Sequence, residues 1–182
     1  MPIDYGYGVS FDTVESAARA RYWRNQRSVF DNCRQIGLIT EKNHEKWLDT
    51  VQNNDRDHMF SIYRKSTAGY ASGVAGVTYI NWQHRTGELS LYLAPNAEGD
   101  LPSGTAIIKT LCAYAFEDLG LNRVFGETFE RNTAALLNLK ECGFVTEGTL
   151  RETYYKNGAF INSVIQSLLR SDYERVKTSW KQ

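Results

Sequence analysis

A change in hydrophobic period near Pro95 constrains the fold of this chain more than any other feature. Before it, apolar and polar residues alternate, as they do from Gly87 to Leu93. After it, apolar residues recur at spacings of one, three and four from Ile107 to Leu119. Alternation is typical of a strand with one buried face, and the longer spacing is typical of a helix that buries a broad stripe. The chain therefore combines a sheet with helices packed against it.

Turn residues divide the rest of the chain into further elements. Helical patterns cover 13–23 and 43–51, so we expect the first quarter to be helical, and strand patterns at 59–64, 73–82 and 87–93 form an antiparallel meander. A strand at 123–129, a helix at 133–142 and a hairpin around Asn157-Gly158, with strands at 150–156 and 160–169, follow the long helix. This order predicts an α+β fold, with a mixed, mostly antiparallel central sheet flanked by helices.

Composition narrows the class of protein. The 182 residues fit one domain spanning 1–182, and 21 basic residues balance 21 acidic ones, which argues against a nucleic acid partner. The three cysteines lack CxxC spacing, so we expect no disulfide framework, no metal site and a reducing compartment. No N-terminal leader pattern and no run of about 18 apolar residues is present, which favours a cytoplasmic protein without a membrane partner.

A loop rich in small residues joins the last strand of the meander to the long helix. It contains Gly99, Ser103 and Gly104, and Thr105 follows them. The unpaired N–H groups and positive dipole end of a helix N-terminus favour an anion such as a pyrophosphate. Taken alone, the loop fits a plain turn and helix cap better than an anion site.

Four segments after this loop carry a resemblance to a known family. They are Ser103-Gly-Thr-Ala-Ile-Ile-Lys109, Tyr114-Ala-Phe116, Leu119-Gly-Leu-Asn-Arg-Val124, and Asn132 with Gly143-Phe144. In order and spacing they resemble the cofactor-binding core of the GNAT (Gcn5-related N-acetyltransferase) superfamily. The resemblance implies a sheet in which two neighbouring strands splay apart to hold acetyl-CoA, and an acyltransferase that acetylates a primary amine.

The same resemblance implies a set of cofactor-binding residues. The backbone of Leu91, Tyr92 and Leu93 would pair with the pantetheine arm, Gly99, Ser103, Gly104 and Thr105 would hold the pyrophosphate, and Asn132 would touch the arm. Two positions depart from the family pattern. Pro102 removes a backbone N–H from the loop, and Leu139 stands where many members have a tyrosine that protonates the leaving thiolate. A different acid or water must then serve.

Amine acetylation requires a neutral amine, so we looked for a proton acceptor. Glu88 and Glu127 lie on the two strands that the resemblance pairs, and both match glutamates used as bases in GNAT branches. Each equally fits an ordinary ion-paired strand carboxylate. We predict that one of them is the base, with Glu127 preferred. Cys142, at the end of a helix, fits a buried structural thiol, which favours direct transfer in a ternary complex over an acetyl-enzyme.

The residues that bind the amine acceptor are predicted from the first helices. Trp23-Arg24-Asn25 and Ile39 to Leu48 resemble GNAT branches that act on nucleotide-linked amino sugars. Arg24 and Asn25 would bind the acceptor, and Tyr79 and Trp82 would stack on a sugar or base. We predict a small-molecule amine acceptor of this kind and leave a homodimer open. The alternatives are an enzyme that acetylates ribosomal-protein N-termini and a non-catalytic acetyl-CoA-binding domain.

Overall fold

A seven-stranded sheet organises the computed structural model, which describes residues 3–13, 17–64, 71–95 and 103–181. The strand order is β1-β2-β3-β4-β5-β7-β6. The strands are β1 (Val9–Thr13), β2 (His58–Arg64), β3 (Ala71–Asn81), β4 (Thr86–Leu93), β5 (Arg123–Phe129), β6 (Val145–Lys156) and β7 (Ala159–Leu169). All neighbouring pairs are antiparallel except β4 and β5. The predicted α+β fold with a mixed, mostly antiparallel sheet is confirmed.

Six α-helices accompany the sheet within the described residues. They are α1 (Ala17–Asn25), α2 (Arg27–Phe30), α3 (Glu41–Gln52), α4 (Gly104–Ala113), α5 (Thr133–Glu141) and α6 (Arg170–Val176). Thr40 is the N-cap of α3. Its side chain accepts a hydrogen bond from the Asn43 N–H at 3.2 Å and so satisfies one free donor of the helix. No described helix is both long enough and apolar enough to cross a membrane.

The one parallel pair of the sheet, β4 and β5, is also its weakest junction. The two strands pair only at Thr86–Arg123, Gly87–Val124 and Glu88–Phe125. Beyond Glu88, β4 continues to Leu93 and keeps its pairing with β3 on the other side. The strands therefore separate where the resemblance predicted a splayed pair.

The alternation along β4 sorts its side chains onto two apolar clusters. Leu89 and Leu91 pack into the larger cluster, which α4 and the C-terminal segment cover. Tyr92 lies on the opposite face with Ala20 and Trp23 of α1. This is the two-faced strand that the pattern from Gly87 to Leu93 predicts, and it leaves one sheet edge of β4 open while both faces are packed.

The start and the end of the chain differ from the sequence prediction. The first quarter of the chain was expected to be helical, yet Val9 and Phe11 are buried and β1 pairs with β2 at the sheet edge. A five-residue strand with two inward apolar residues gives too short a pattern to recognise. α6 was also missed, because its first turn follows directly from β7 without a turn residue.

Candidate active site

A cleft of about 460 Å³ opens where β4 and β5 separate. Its walls are β4 beyond Glu88, the end of β5, and the first turns of α2 and α5. The residues that line the cleft include Arg24, Cys33, Arg34, Glu88, Ser90, Leu91, Tyr92, Leu93, Gly126, Glu127, Asn132, Asn138 and Leu139. The cleft therefore gathers seven of the residues that sequence reasoning assigned to the site: both glutamates, Arg24, Asn132, and the β4 segment from Leu91 to Leu93.

The cleft fits an extended chain with amide groups, such as the pantetheine arm. Alternate residues of a strand direct their N–H and C=O groups to opposite sides. Beyond Glu88, the N–H and C=O groups of β4 that point away from β3 have no described strand to pair with. These backbone groups therefore face the cleft. The opposite wall is built from small residues, Gly126, Ala134 and Ala135, and a Cβ added at Gly126 would lie 3.2 Å from a Leu139 methyl.

The N-terminus of α5 lies at this cleft, and that of α4 lies beside it, next to the cleft residue Asn138. Asn132 caps α5, because its Oδ1 accepts a hydrogen bond from the Ala135 N–H at 3.3 Å. α4 begins at Gly104, where an added Cβ would stand 2.3 Å from the Asn138 Nδ2. A side chain at position 104 would therefore force the Asn138 amide to move. Ser103 precedes α4 as its N-cap.

Some of the predicted pyrophosphate residues are described and some are not. The hydroxyl groups of Ser103 and Thr105 are hydrogen-bonded to each other at 2.6 Å at the start of α4. Gly99 and Pro102 lie outside the described residues. Of the predicted pyrophosphate site, the described residues therefore include only the N-terminus of α4.

Arg34 joins the two candidate carboxylates across the gap between the strands. Its Nη2 donates to Glu88 Oε1 at 2.5 Å and its Nη1 donates to Glu127 Oε2 at 3.3 Å. Glu88 is only 4% exposed. Among the described residues, Arg34 alone donates a hydrogen bond to the Glu88 carboxylate. One guanidinium therefore holds both strands at the mouth of the cleft.

The environment of Glu88 favours its protonated form more than water does. Burial raises the pKa of its carboxyl, Arg34 lowers it and Glu127 raises it again, so that the net pKa lies above the ordinary value. Burial lowers the pKa of the Arg34 guanidinium, but Glu88 and Tyr154 raise it, with a net increase. Arg34 therefore stays charged, while Glu88 can exchange a proton nearer to neutral pH.

Glu127 is held by more partners than Glu88. Ser163 Oγ donates to its Oε1 at 2.6 Å, and Arg34 donates to its other oxygen. The Tyr154 hydroxyl is hydrogen-bonded to both Glu127 and Arg34. These contacts come from β6, β7 and the loop after α2, and they fix the carboxylate in place.

The predicted acceptor residues are not brought together. Arg24 lines the cleft, with its Nε donating to Gln35 Oε1 at 2.8 Å and its guanidinium 5.2 Å from the centre of the Tyr92 ring. Asn25 instead makes two hydrogen bonds to the Ile39 backbone, at 2.9 and 2.8 Å, and so closes the loop before α3.

Tyr79 and Trp82 lie at the far end of the hairpin formed by β3 and β4. They are 64% and 40% exposed, and neither lines the described cleft. Tyr79 adopts a positive φ of 51° and its N–H donates to Asp57. A role in stacking on the acceptor gains no support from this placement.

Cys142 occupies the buried position that its sequence context suggests. It is 0% exposed, its Sγ donates to the Thr105 carbonyl at 3.6 Å, and burial raises the pKa of its thiol to about 12. Burial also raises the pKa of the Cys33 thiol, which lies in the cleft. Neither thiol is activated as a nucleophile. The described residues contain no group of His, Cys, Asp and Glu side chains suited to a metal ion.

Sequence reasoning missed Arg34 and Tyr154. Arg34 lies in the irregular segment between α2 and α3, and Tyr154 lies 27 positions after Glu127 and 66 after Glu88. A pattern of local spacing gives no sign that these side chains meet. The only available signal was chemical, since two carboxylates predicted to lie near each other require a cation.

The fold and the cleft define a class of enzyme that transfers an acyl group from a thioester held between two parted strands. Comparison with known proteins gives the family. Residues 12–145 match the model of the acetyltransferase (GNAT) domain, and the chain belongs to this family. The predicted class, an acetyl-CoA-dependent N-acetyltransferase with acetyl-CoA as co-substrate, is confirmed.

Individual relatives differ in what they acetylate. The chain is 32% identical over 101 residues to spermidine N(1)-acetyltransferase of Vibrio cholerae, a match that covers 56% of this chain and 58% of that protein. It is also 32% identical over 151 residues to Bacillus subtilis YdaF, whose name provisionally assigns it as a ribosomal N-acetyltransferase. That match covers 72% of this chain and 81% of YdaF.

A solved structure shows the same fold. The crystal structure of spermidine N-acetyltransferase from Vibrio cholerae, in complex with CoA and spermine, superposes with a TM-score of 0.83. The alignment covers 92% of this chain and 98% of that chain at 21% identity.

The raised thiol pKa of Cys142 gives a direct chemical test. Alkylation by iodoacetamide requires the thiolate, so we expect Cys142 in the folded protein to remain unmodified at pH 8 and to react fully after denaturation. Mass spectrometry of the peptide that contains Cys142 measures both states. Rapid alkylation of Cys142 in the folded protein, or a stable acetyl group on its peptide after incubation with acetyl-CoA, would show an activated thiol.

Proposed function

We propose that this protein acetylates the primary amine of a nucleotide-linked amino sugar, by direct attack of the amine on acetyl-CoA in a ternary complex. The observation that supports direct transfer best is the buried Glu88 carboxylate at the mouth of the cleft, held by Arg34 and raised in pKa. The thioester of acetyl-CoA supplies the acetyl group, and the CoA thiolate is a good leaving group. The chain has then to position two substrates and to accept one proton.

We assign the cofactor-binding residues along the cleft and at the neighbouring start of α4. In this proposal the backbone of β4 from Leu91 to Leu93 hydrogen-bonds the pantetheine arm as an added strand would. Ser103, Gly104 and Thr105 offer the free N–H groups at the start of α4 to the pyrophosphate. Asn132, at the start of α5, faces the arm from the opposite wall.

Glu88 is the better candidate for the base, although the sequence argument preferred Glu127. A general base works best when its pKa is near the working pH, and burial moves Glu88 in that direction. Glu127 is already engaged by Ser163, Tyr154 and Arg34. Its role in this proposal is to anchor the second arm of Arg34 while Glu88 accepts the proton from the incoming ammonium.

The leaving thiolate receives its proton from water in this scheme. Leu139 presents a buried, apolar side chain to the cleft and so has no proton to donate at this position. The thiols of Cys33, which is partly buried, and of Cys142, which is buried, have raised pKa values and lie outside this role. A CoA thiolate leaves readily, so that backbone N–H donors and alignment carry most of the rate enhancement.

Arg24 supports an acceptor that carries negative charge. It lines the cleft, stacks on Tyr92 and makes no ion pair with any described carboxylate. Its fork of N–H groups suits a diphosphate. The charged residues that line the cleft are Arg24, Arg34, Glu88 and Glu127, two of each sign, so the cleft is not the acidic groove that a polycation prefers.

Spermidine is the second candidate acceptor. The relatives from Vibrio cholerae and Escherichia coli that match this chain are named spermidine acetyltransferases, and two carboxylates do lie in the cleft. Arg34 offsets half of the negative charge of these two carboxylates, so we place spermidine second. The N-terminal amine of a ribosomal protein, after the name of YdaF, is the third acceptor to test.

Removal of the base should affect chemistry and leave binding intact. General-base catalysis contributes about 10²- to 10⁴-fold, so we expect Glu88→Gln to lower kcat at pH 7 by that factor. Activity should recover in part at higher pH, where the acceptor amine is already neutral. Glu127→Gln, of matched size, should lower kcat much less. Steady-state kinetics from pH 6 to 10, with CoA affinity from calorimetry as the folding control, measures this.

Two results would overturn the assignment of the base. Equal loss in the two glutamine variants would make the pair a single functional unit. Near-parental kcat for Glu88→Gln across the pH range would show that the proton leaves by another path.

The acceptor assignment has its own test. Purified protein with acetyl-CoA is incubated with a UDP-linked amino sugar, spermidine and a ribosomal-protein N-terminal peptide. We expect the sugar nucleotide to give the highest kcat/KM, and Arg24→Ala to raise its KM about tenfold or more with kcat little changed, as loss of uniform binding does. Asn25→Ala, which removes two hydrogen bonds to the Ile39 backbone but no side chain that lines the cleft, is the control and should not change KM selectively.

A preference for spermidine or for the peptide over the sugar nucleotide would replace the proposed acceptor with that one. An unchanged KM in Arg24→Ala would remove Arg24 from acceptor binding, whichever amine is preferred.

A further inference from the structure

Arg34 is held in an irregular segment, 31–40, that has no helix or strand of its own. An exposed loop of this length would leave a long side chain many rotamers, at a cost in entropy when it binds two carboxylates. The position of Arg34 between Glu88 and Glu127 therefore requires something to fix the loop backbone.

Lys156, the last residue of β6, makes the contacts that fix it. Its ammonium donates to the carbonyl oxygens of Phe30, of Cys33 at 2.6 Å and of Gln35 at 3.0 Å. It also lies 3.8 Å from the centre of the Phe30 ring. Lys156 is 6% exposed and makes no ion pair with a described carboxylate.

This arrangement uses all three N–H donors of the ammonium, one on the last residue of α2 and two on the loop that follows it. Cys33 and Gln35 are the residues on either side of Arg34, so Lys156 binds the chain immediately before and after it. A charged amine that is buried without a carboxylate is costly, and burial indeed lowers the pKa of Lys156. The contacts with backbone carbonyls offset that cost only while the loop keeps this shape.

The neighbouring residue reinforces the same attachment. Asn157 Nδ2 donates to Asp31 Oδ1 at 3.1 Å, and the Arg131 guanidinium donates to the Asp31 carbonyl. The hairpin tip and the turn after β5 therefore hold the beginning of the loop, while Lys156 holds its middle.

We propose that Lys156 is a positioning residue of the active site, which holds Arg34 between the two glutamates by binding the carbonyls on both sides of it. This inference rests on the proposed function for its effect on turnover. The contact geometry itself does not depend on which acceptor is used.

Movement of Arg34 would change the charge state of Glu88. The groups that face Glu88 are Arg34 from the loop and Glu127 from β5, and Tyr154 from β6 acts on it through Arg34. If Arg34 moves away, Glu88 loses the interaction that lowers its pKa but keeps burial and Glu127, which both raise it. A base must be deprotonated to act, so the acidic limb of the kcat profile should move to higher pH.

The experiment compares three variants with the parent protein. Lys156→Met keeps the length of the side chain and removes the donors, and Arg34→Met gives the full effect of losing the guanidinium. Arg170→Met is the matched control, because Arg170 also donates to backbone carbonyls, of Leu121 at 3.1 Å and of Phe116, and lies over the Phe116 ring. It makes these contacts away from the described cleft.

Two readouts are taken. The first is the titration of the Glu88 side-chain carboxyl by NMR in protein labelled with ¹³C at glutamate, with the signal assigned by its absence in Glu88→Gln. The second is the pH profile of kcat. We expect Arg34→Met to raise the midpoint by about one pH unit or more, the size of effect that a close charge has. Lys156→Met should shift it in the same direction, by at least about half as much, and Arg170→Met should not shift it.

Each outcome decides between a positioning and a merely structural role. An unshifted Glu88 titration in Lys156→Met, beside a shifted one in Arg34→Met, would overturn the proposal. So would equal shifts in Lys156→Met and Arg170→Met, since general destabilisation would then explain both. Should Lys156→Met not fold, Lys156→Gln, which keeps two amide donors on a shorter stem, takes its place with a smaller expected shift.

Failure of the proposed function is distinguishable from failure of this inference. The NMR titration requires no turnover, so it reports on Lys156 even if the parent protein acetylates none of the amines offered.

Discussion

The parting of β4 and β5 beyond Glu88 is the constraint on which the rest of the site depends. A continuous sheet would satisfy the backbone of β4 on both sides and leave no room for a thioester. Because the strands separate, something else must hold them at the point of separation, and Arg34 does so by binding one carboxylate on each strand. The opening and the ion pairs are thus parts of one arrangement. The same arrangement places the candidate base at the mouth of the cleft.

Two carboxylates and one guanidinium in a partly buried cleft form a group with little tolerance for loss of a member. Removing Arg34 would leave the Glu88 charge, whose side chain is 5% exposed, with little water and no cation, which costs stability. This accounts for the supports around the group: Ser163 and Tyr154 on Glu127, and Lys156 on the loop of Arg34. It also bears on the acceptor, because Arg34 neutralises much of the negative charge that would attract a polycation.

How far the sequence predicted the structure depended on the range of the interaction. The periods of β4, α4, β5 and α5 are local, so their strands and helices were predicted to within a few residues, and Glu88, Glu127 and Asn132 reach the cleft. The roles of Arg34 and Lys156 could not be predicted, since the two residues are 122 positions apart in the chain. Lys156 reaches the loop of Arg34 through backbone carbonyls, which leave no mark in the sequence. Local similarity also placed Asn25 in the acceptor group, whereas its amide closes a loop.

Hydrogen–deuterium exchange with and without CoA tests the central claim most directly, namely that the parted strands bind the co-substrate. Exchange reports on the backbone N–H groups of β4 that the described sheet leaves unpaired. We predict that CoA slows exchange in peptides covering 89–93 and the first turns of α4 and α5, and leaves the outer strand β6 unchanged. Binding of CoA by calorimetry without protection of 89–93, or with protection confined to another part of the chain, would contradict the account.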